Sequence, residues 1–203
     1  MPDEMTEAIR RSFQESIAAK NQFLNDNLSI LVAVVEVIAA RLLAGNKLLF
    51  FGNGGSAADA QHLACEFVNR FMLERPPLPA IALSTDTSIL TSIGNDYGFV
   101  EVFAKQVKAL GREGDVAVAL STSGNSPNVL RAVEVSKKKG LVTIALTGGD
   151  GGKLAALVDH HLCVTGSKLT PRIQETHIVA GHVICEMVDR KLFGRDHAKG
   201  ARA

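Results

Sequence analysis

The chain has 203 residues, of which 46% are hydrophobic and 21% are charged. This composition suffices for one domain with a full hydrophobic core and excludes a largely disordered chain. Lysine and arginine together number 22 and aspartate and glutamate 21, so the net charge is +1. No global charge attracts nucleic acid or an anionic membrane, and we expect neither as a partner.

Nothing in the sequence predicts export or insertion into a membrane. We see no apolar run long enough to span a bilayer, and residues 1–20 are charged throughout, unlike a signal peptide. Cys65, Cys163 and Cys185 are odd in number, form no C-x-x-C pair and lie in apolar segments. These features predict reduced, buried thiols and a cytoplasmic protein.

The first 45 residues predict a helical hairpin. Apolar side chains recur at helical spacing from Thr6 to Asn25, where the polar run Asn25–Asn27 interrupts them. A second helix is expected to begin with Ser29 as N-cap and to end before Gly45. We expect residues 1–45 to pack as this hairpin on a domain formed by residues 46–195 and on a subunit interface. Residues 196–203 are expected to form a loose tail.

Beyond the hairpin, short apolar runs alternate with helical stretches. The predicted strands are Lys47–Phe51, Pro79–Leu83, Asp115–Leu120, Leu141–Leu146 and His160–Val164. The predicted helices are Ser56–Phe71, Gly98–Leu110, Ser126–Lys139 and about Arg172–Phe193. The alternation predicts an α/β fold, a three-layer αβα sandwich with a mostly parallel five-stranded sheet. Ligands of such sheets bind where the strands end and the helices begin.

Two loops at strand ends are suited to a phosphate group. The first strand passes through Gly52-Asn53-Gly54-Gly55-Ser56 into an alanine-rich helix, whose N-terminal N–H groups can face an anion. The third strand is followed by Ser121-Thr122-Ser123-Gly124-Asn125-Ser126-Pro127, which carries four hydroxyls. Ser126 is the expected N-cap of the next helix, with Pro127 at its first position. An ordinary Ser-rich capped turn is the alternative for the hydroxyl run alone. The glycine turn after another strand weakens that alternative, and we expect the two helix N-termini to converge on one ligand. For Thr147–Gly152 a flexible connection is favoured over a third phosphate site.

Imidazoles and carboxylates recur on two helices. His62 and Glu66 lie at i and i+4 on one helical face, and Gln174, His177 and His182 stand among apolar residues of the last helix. Taken alone, His62 and Glu66 could be a solvated polar pair, but the two sets together suit zinc or a similar divalent ion. Gln174 and His182 are eight residues apart, about 12 Å along a regular helix. We therefore hypothesise that each site borrows side chains from a neighbouring subunit.

These residues together resemble the sugar isomerase (SIS) domain, and more narrowly the phosphoheptose isomerase family, over nearly the whole chain. The residues that carry the resemblance are Gly52 to His62, Thr85 to Leu90, Gly94 to Gly98, Ser121 to Pro127 and Arg172 to Glu175. The resemblance implies that residues 46–195 are the SIS domain. It also implies conversion of sedoheptulose 7-phosphate to D-glycero-D-manno-heptose 7-phosphate, the first step of ADP-heptose synthesis for lipopolysaccharide core or related glycans.

The resemblance further implies roles for individual residues. Glu66 and His182 would be base and acid, and one zinc ion per subunit would be held by His62, Glu66, Gln174 and His182. The substrate would be held by Asn53, Gly54, Gly55, Ser56, Asn95, Asp96, Ser121, Thr122, Ser123, Ser126 and Gln174. The hydroxyls of that set would take the phosphate, while Asn95 and Asp96 would meet sugar hydroxyls. A homotetramer with active sites at subunit contacts is implied as well.

Two other functions remain open at this stage. A non-catalytic SIS module could bind a sugar phosphate or the DnaA replication initiator, and the initiator-associating relative shares features such as Asn69–Phe71 and Glu74–Pro76. That relative has lost the residues that correspond to Glu66 and His182, both of which this chain has. A zinc hydrolase is disfavoured because no further carboxylate is placed in an identifiable motif to activate water.

Overall fold

The computed structural model describes the backbone of residues 2–200 and the side chains of residues 3–194. Its centre is a five-stranded sheet in the order β2-β1-β3-β4-β5, with every neighbouring pair parallel. The strands are β1 (Leu48–Gly52), β2 (Ala80–Ala82), β3 (Val116–Ser121), β4 (Val142–Gly148) and β5 (His160–Val164). All five predicted strands are confirmed, each end to within two residues.

Helices cover both faces of the sheet. The α-helices of the described chain are α1 (Pro2–Leu43), α2 (Gly55–Val68), α3 (Thr87–Tyr97), α4 (Val102–Leu110), α5 (Pro127–Lys138) and α6 (Thr170–Gly200). Side chains alternate along β1: Leu48 and Phe50 pack in the core with α1, α2 and α6, whereas Leu49 and Phe51 pack with α4 and α5. The result is the predicted three-layer αβα sandwich.

The predicted N-terminal hairpin is wrong, because residues Pro2–Leu43 form one helix of 42 residues. Two of the three polar residues expected to break it bond to β5 or to the residue that follows β5. The buried Asn27 amide donates to the carbonyl of Cys163 on β5, and its oxygen accepts from the Cys163 N–H, both at 3.1 Å. Asp26 accepts a hydrogen bond from the Thr165 hydroxyl at 2.6 Å. This segment therefore docks α1 on the edge of the sheet, and Ser29 is interior to the helix.

Other helices also differ from the prediction, and α2 ends at Val68 rather than at Phe71. The sequence pattern did not predict α3, which buries none of its residues and is capped by the Asp86 carboxylate, which accepts from the Ile89 N–H at 2.9 Å. The stretch Gly98–Leu110 divides into a 3₁₀ turn at Phe99–Glu101 and α4. Helix α6 continues to Gly200, through most of the tail expected at residues 196–203. Residues 201–203 lie outside the described chain.

By length and composition α1 is able to cross a membrane, which corrects the expectation that no apolar stretch is long enough. Asp3–Leu43 contains an 18-residue window with a mean hydropathy of 1.7, of which 33% is buried in the fold. Leu31, Val34 and Ile38 of this helix are buried in the core shared with β1 and α6. Mostly buried core helices and N-terminal signal sequences meet the same criterion, so one such helix is weak evidence for a membrane.

The cysteines are all free thiols, as expected, but they are not all buried. Cys185 is buried on α6 and Cys163 is half-buried on β5, whereas Cys65 is exposed on α2. The apolar neighbours of Cys65 in the sequence, Leu63, Ala64 and Phe67, point into the core. Cys65 faces solvent because it lies on the other side of the same helix.

Candidate active site

The two candidate phosphate loops lie side by side at the carboxyl edge of the sheet. Strands β1 and β3 are neighbours, with Gly52 in register with Leu120. From β1 the chain passes through α2 to β2 on one side, and from β3 through α5 to β4 on the other. The strand order reverses between β1 and β3, and ligands of open α/β sheets bind in the crevice at such a switch point.

The hydroxyl loop, residues 121–126, leads directly into α5. Ser121 Oγ and Ser126 Oγ lie 3.1 Å apart, and Ser123 Oγ accepts a hydrogen bond from the Asn125 N–H at 3.2 Å. Ser126 is the N-cap residue, as predicted, and Pro127 follows it, but the Ser126 side chain makes no capping hydrogen bond. The first N–H groups of α5 are therefore available to an anion, with hydroxyls beside them.

The glycine turn after β1 brings the N-terminus of α2 to the same place. Gly54 is the N-cap residue of α2 and provides no side-chain capping hydrogen bond, and Ser56 in the first turn is buried. Asn53 and the buried Asn128 exchange two amide hydrogen bonds of 2.8 Å. These bonds tie the turn to α5, so two helix N-termini converge as predicted, while the Asn53 amide holds the two loops together.

The loop Thr147–Gly152 supports the hydroxyl loop from the other side. The carbonyl of Thr122 accepts from the Gly148 N–H at 3.0 Å, and that of Gly124 accepts from the Leu154 N–H at 3.1 Å. A Cβ on Gly124 would lie 1.9 Å from the carbonyl oxygen of Gly151. Such close backbone contact favours the predicted role of this segment as a connection over a third phosphate site.

Two imidazoles and a carboxylate meet between α2 and α6. His62 Nε2 lies 2.8 Å from His182 Nε2 and 3.4 Å from Glu66 Oε1, and one ligand atom from each of the three lies within 4.8 Å of the others. The two helices approach closely at this level. Gly181 on α6 leaves room for Leu63 of α2, since a Cβ on Gly181 would lie 2.5 Å from Leu63 Cδ2. The prediction that polar side chains of the last helix meet those of α2 is thus confirmed for His182.

Asp59 adds a carboxylate to this cluster that the sequence reasoning missed. Burial raises the pKa of Asp59, and positive charge on His62 and His182 opposes that rise. Its Oδ2 is buried without a hydrogen-bond partner among the described residues. The sequence did hold a signal, since Asp59, His62 and Glu66 recur at i, i+3 and i+7 and therefore share one helical face.

The structure places the other predicted residues apart from the cluster. The Gln174 amide packs against Gly55, where a Cβ would lie 2.3 Å from Gln174 Nε2, and Gly55 precedes His62 by seven residues. Asn95 and Asp96 lie at the exposed end of α3 and bond to each other at 2.8 Å. The third polar residue of α6, His177, is buried and faces the sheet rather than the cluster. Its Nε2 lies 3.0 Å from the Thr147 carbonyl, and burial lowers its pKa to about 4.

Comparison with known proteins agrees with this architecture. The sequence matches the SIS domain family over residues 12–148, more than half of the chain. The match includes both phosphate loops and the helix that carries His62 and Glu66. Fold, crevice and sequence together define a SIS-domain protein.

Individual relatives narrow this class. A phosphoheptose isomerase of Thermodesulfovibrio yellowstonii is 54% identical over 196 residues, which cover 97% of each chain. The phosphoheptose isomerase GmhA from Neisseria gonorrhoeae superposes with a TM-score of 0.86 at 48% identity, over 91% of this chain and 98% of that one. The phosphoheptose isomerase from Francisella tularensis gives a TM-score of 0.88 at 40% identity, over 92% and 98%. The chain belongs to the phosphoheptose isomerase family.

Proposed function

We propose that this enzyme converts sedoheptulose 7-phosphate to D-glycero-D-manno-heptose 7-phosphate. The observation that carries the proposal is the layout of α2. Its N-terminus faces the hydroxyl loop, and its side chains His62 and Glu66 meet His182 farther along. His62 lies seven residues beyond Gly55, about 10 Å at 1.5 Å per residue. A sugar phosphate held at one end by its phosphate would present its carbonyl end to the imidazoles and the carboxylate.

Substrate binding is assigned to the two loops and their surroundings. Ser121, Thr122, Ser123 and Ser126 are proposed to hold the phosphate with hydroxyl and backbone donors, without a lysine. Asn53, Gly54, Gly55, Ser56, Asn95, Asp96 and Gln174 are proposed to line the path of the sugar chain. Because Asn53 also joins the glycine turn to α5, its contribution includes holding the two loops together.

Glu66 and His182 are proposed to carry out the proton transfers. The Glu66 carboxylate takes a proton from C1 of the open-chain ketose while the C2 carbonyl oxygen gains one with assistance from His182, which gives an enediol. Glu66 then returns the proton to C2, the C1 hydroxyl loses its proton, and the aldehyde forms at C1. No net proton is consumed, and the carboxylate on α2 and the imidazole on α6 are restored.

His62, Glu66 and His182 are also proposed to hold one zinc ion per subunit. One ligand atom from each of these three side chains lies within 4.8 Å of the other two, so the three could share a single ion. The donor set of two nitrogens and an oxygen suits zinc. Because Gln174 of the same chain lies against Gly55, apart from the cluster, the predicted fourth ligand is proposed to come from a neighbouring subunit. The metal would supply charge that stabilises the enediolate oxygens.

Assembly and location complete the proposal. We propose a homotetramer in the cytoplasm, with active sites at subunit contacts, whose product enters ADP-heptose synthesis for lipopolysaccharide core or related glycans. The assembly is supported by exposed apolar side chains along α1, namely Met5, Ile9, Phe13, Ile17, Leu24, Leu28 and Val32. Asn95 and Asp96 on the exposed α3 would then reach sugar hydroxyls from a neighbouring subunit.

A turnover assay tests this function. Purified protein is incubated with sedoheptulose 7-phosphate, and formation of the aldose is followed before chelation, after chelation and after zinc is restored. We expect turnover that falls on chelation and returns with zinc. Absence of turnover in the zinc-loaded protein would instead support the non-catalytic module that binds a sugar phosphate or the DnaA initiator.

A further inference from the structure

A buried arginine holds the end of the helix that carries Glu66. The Arg75 side chain is 1% exposed and lies in the segment that follows α2. Its Nη2 donates to the carbonyl of Glu66 at 2.8 Å, and its Nη1 donates to the carbonyls of Phe67 at 2.7 Å and Asn69 at 3.2 Å. The last carbonyls of a helix lack hydrogen-bond donors within the helix, and here a guanidinium provides those donors.

The same arginine is bound to the helix that carries His182. Arg75 Nε donates to Asp189 Oδ1 at 2.9 Å, and the Asp189 side chain is also 1% exposed. Asp189 follows His182 by seven residues, two turns, so the two side chains share one face of α6. One buried ion pair therefore connects the backbone of Glu66 to the helix face of His182.

The contacts between α2 and α6 form a series along this shared face. His62 meets His182 at one end, and Leu63 packs closely on Gly181 beside them. At the other end Arg75 joins the last turn of α2 to Asp189. Cys185 lies between the two ends, and burial together with the negative charges of Glu66 and Asp189 raises the pKa of its thiol.

Stability alone does not explain why the fold buries this ion pair. Removing two charges from water costs so much that an apolar pair of similar volume is often as stable as a buried ion pair. Hydrogen bonds are directional, so they specify the register of one helix against the other more narrowly than apolar contacts do. Arg75 bonds to three carbonyls at the end of α2, to the carbonyl of Pro76 beside it in the chain, and to one carboxylate of the facing helix.

We propose that Arg75 and Asp189 are positioning residues that set the distance and register between Glu66 and His182. The inference rests on the proposed roles of Glu66 and His182 in proton transfer and metal binding. The phosphate loops lie at the opposite end of α2, so their hold on the substrate does not depend on this pair.

The test replaces the ion pair by an apolar pair of similar volume, Arg75→Met with Asp189→Leu. Turnover is measured as kcat and KM, and the affinity of the metal-free protein for Co²⁺ is measured by its visible absorption spectrum. Loss of groups that orient metal ligands typically costs about 10–100-fold in metal affinity or activity. We expect losses of that size in kcat and in Co²⁺ affinity, with KM changed by less than about threefold.

Single variants provide the matched control. Asp189→Asn keeps the shape of the buried acceptor and is compared with Asp115→Asn, which alters another charged partner, that of Lys47, at the amino ends of β1 and β3. The proposal expects Asp189→Asn to lower Co²⁺ affinity and kcat, and Asp115→Asn to lower thermal stability alone. This comparison of single variants also tests the proposal if the apolar double variant does not fold.

Wild-type Co²⁺ affinity and kcat in both Asp189 variants would overturn the proposal, whatever happens to their thermal stability. The two readouts also separate this inference from the proposed function. If the wild type binds Co²⁺ but does not turn over sedoheptulose 7-phosphate, the function fails, while the comparison of Asp189→Asn with Asp115→Asn in Co²⁺ affinity still decides the role of the pair.

Discussion

At the scale of single residues, the candidate chemistry rests on side chains from two helices that are far apart in sequence. His62 and His182 are separated by 120 positions, and their Nε2 atoms lie 2.8 Å apart. Phe71 stacks on the His182 ring with centroids 5.3 Å apart, which limits the orientations of that imidazole. The surroundings thus restrict His182 to a pose in which it faces Glu66 and His62.

Glu66→Gln is expected to abolish turnover while substrate binding stays within about tenfold of wild type, because the amide keeps the shape of the side chain and loses its basicity. Initial rates with sedoheptulose 7-phosphate and equilibrium binding by calorimetry are the two measurements. Asn125→Asp, which alters the hydroxyl loop instead, should affect binding more than the proton transfer. Normal activity of Glu66→Gln would remove Glu66 from the role of base.

Because His177 is buried, we expect the free energy of unfolding to fall at acid pH. Burial lowers its pKa to about 4, below the value of about 6.5 in an unfolded chain. The folded state therefore keeps His177 neutral, and stability that is fully present above pH 6.5 is lost as the pH falls toward 4. The loss amounts to about 3 kcal/mol by proton linkage.

Urea unfolding at pH 7, 5.5 and 4.5 measures this effect in wild type and His177→Gln. The wild type should lose more stability than the variant across that range, because the glutamine does not titrate. Equal pH dependence in the two proteins would show that burial of His177 does not limit acid stability.

At the scale of elements, the hydroxyl loop depends on the loop that packs behind it. Gly124 has a φ of +63° and approaches Gly151 more closely than any residue with a Cβ could. Gly149, in the supporting loop, has a similar φ of +66° but open space where its Cβ would be. The two glycines therefore separate the cost of backbone strain from the cost of displacing the loop.

Gly124→Ala is expected to destabilise the protein and to raise KM at least about tenfold, because the new methyl group pushes the phosphate loop away from Gly151. Gly149→Ala should cost only the strain of a left-handed residue, about 1–2 kcal/mol, with KM close to wild type. Thermal unfolding and steady-state kinetics of both variants check this difference. Equal KM values would mean that the contact with Gly151 does not shape the phosphate site.

At the scale of the whole molecule, the exposed apolar side chains of α1 are the main feature that one chain leaves unexplained. Leu24 and Leu28 are 49% and 57% exposed and border a groove between α1 and α6. Neighbouring subunits that cover this surface would remove several large apolar side chains from water, at about 25 cal/mol per Å².

Leu24→Asp is therefore expected to shift the proposed tetramer to smaller species and to lower turnover, because a carboxylate would be buried at the proposed subunit contact. Asn25→Asp is the matched control, since it introduces the same side chain at an adjacent exposed position. Sedimentation velocity and specific activity at equal concentration are the measurements. A Leu24→Asp protein that assembles and turns over like Asn25→Asp would place the subunit contacts elsewhere.

The sequence by itself determined the five strands, most of the helices that flank them, and the two loops proposed to bind phosphate. Buried parallel strands are continuous apolar runs, and the turns that follow them need glycines and hydroxyls at particular positions, so local composition carries this information. The same local pattern was misleading at Asn25–Asn27, where polar residues indicated a loop.

The features that depend on contacts between distant parts of the chain were decided only by the tertiary structure. It showed that Asn27 bonds to the edge of β5 within an unbroken helix, that Asp59 joins the imidazoles, and that Arg75 links the ends of the two helices bearing the cluster. The physical reason is that a buried polar side chain is satisfied by partners distant in the chain, and spacing along a single segment does not specify those partners.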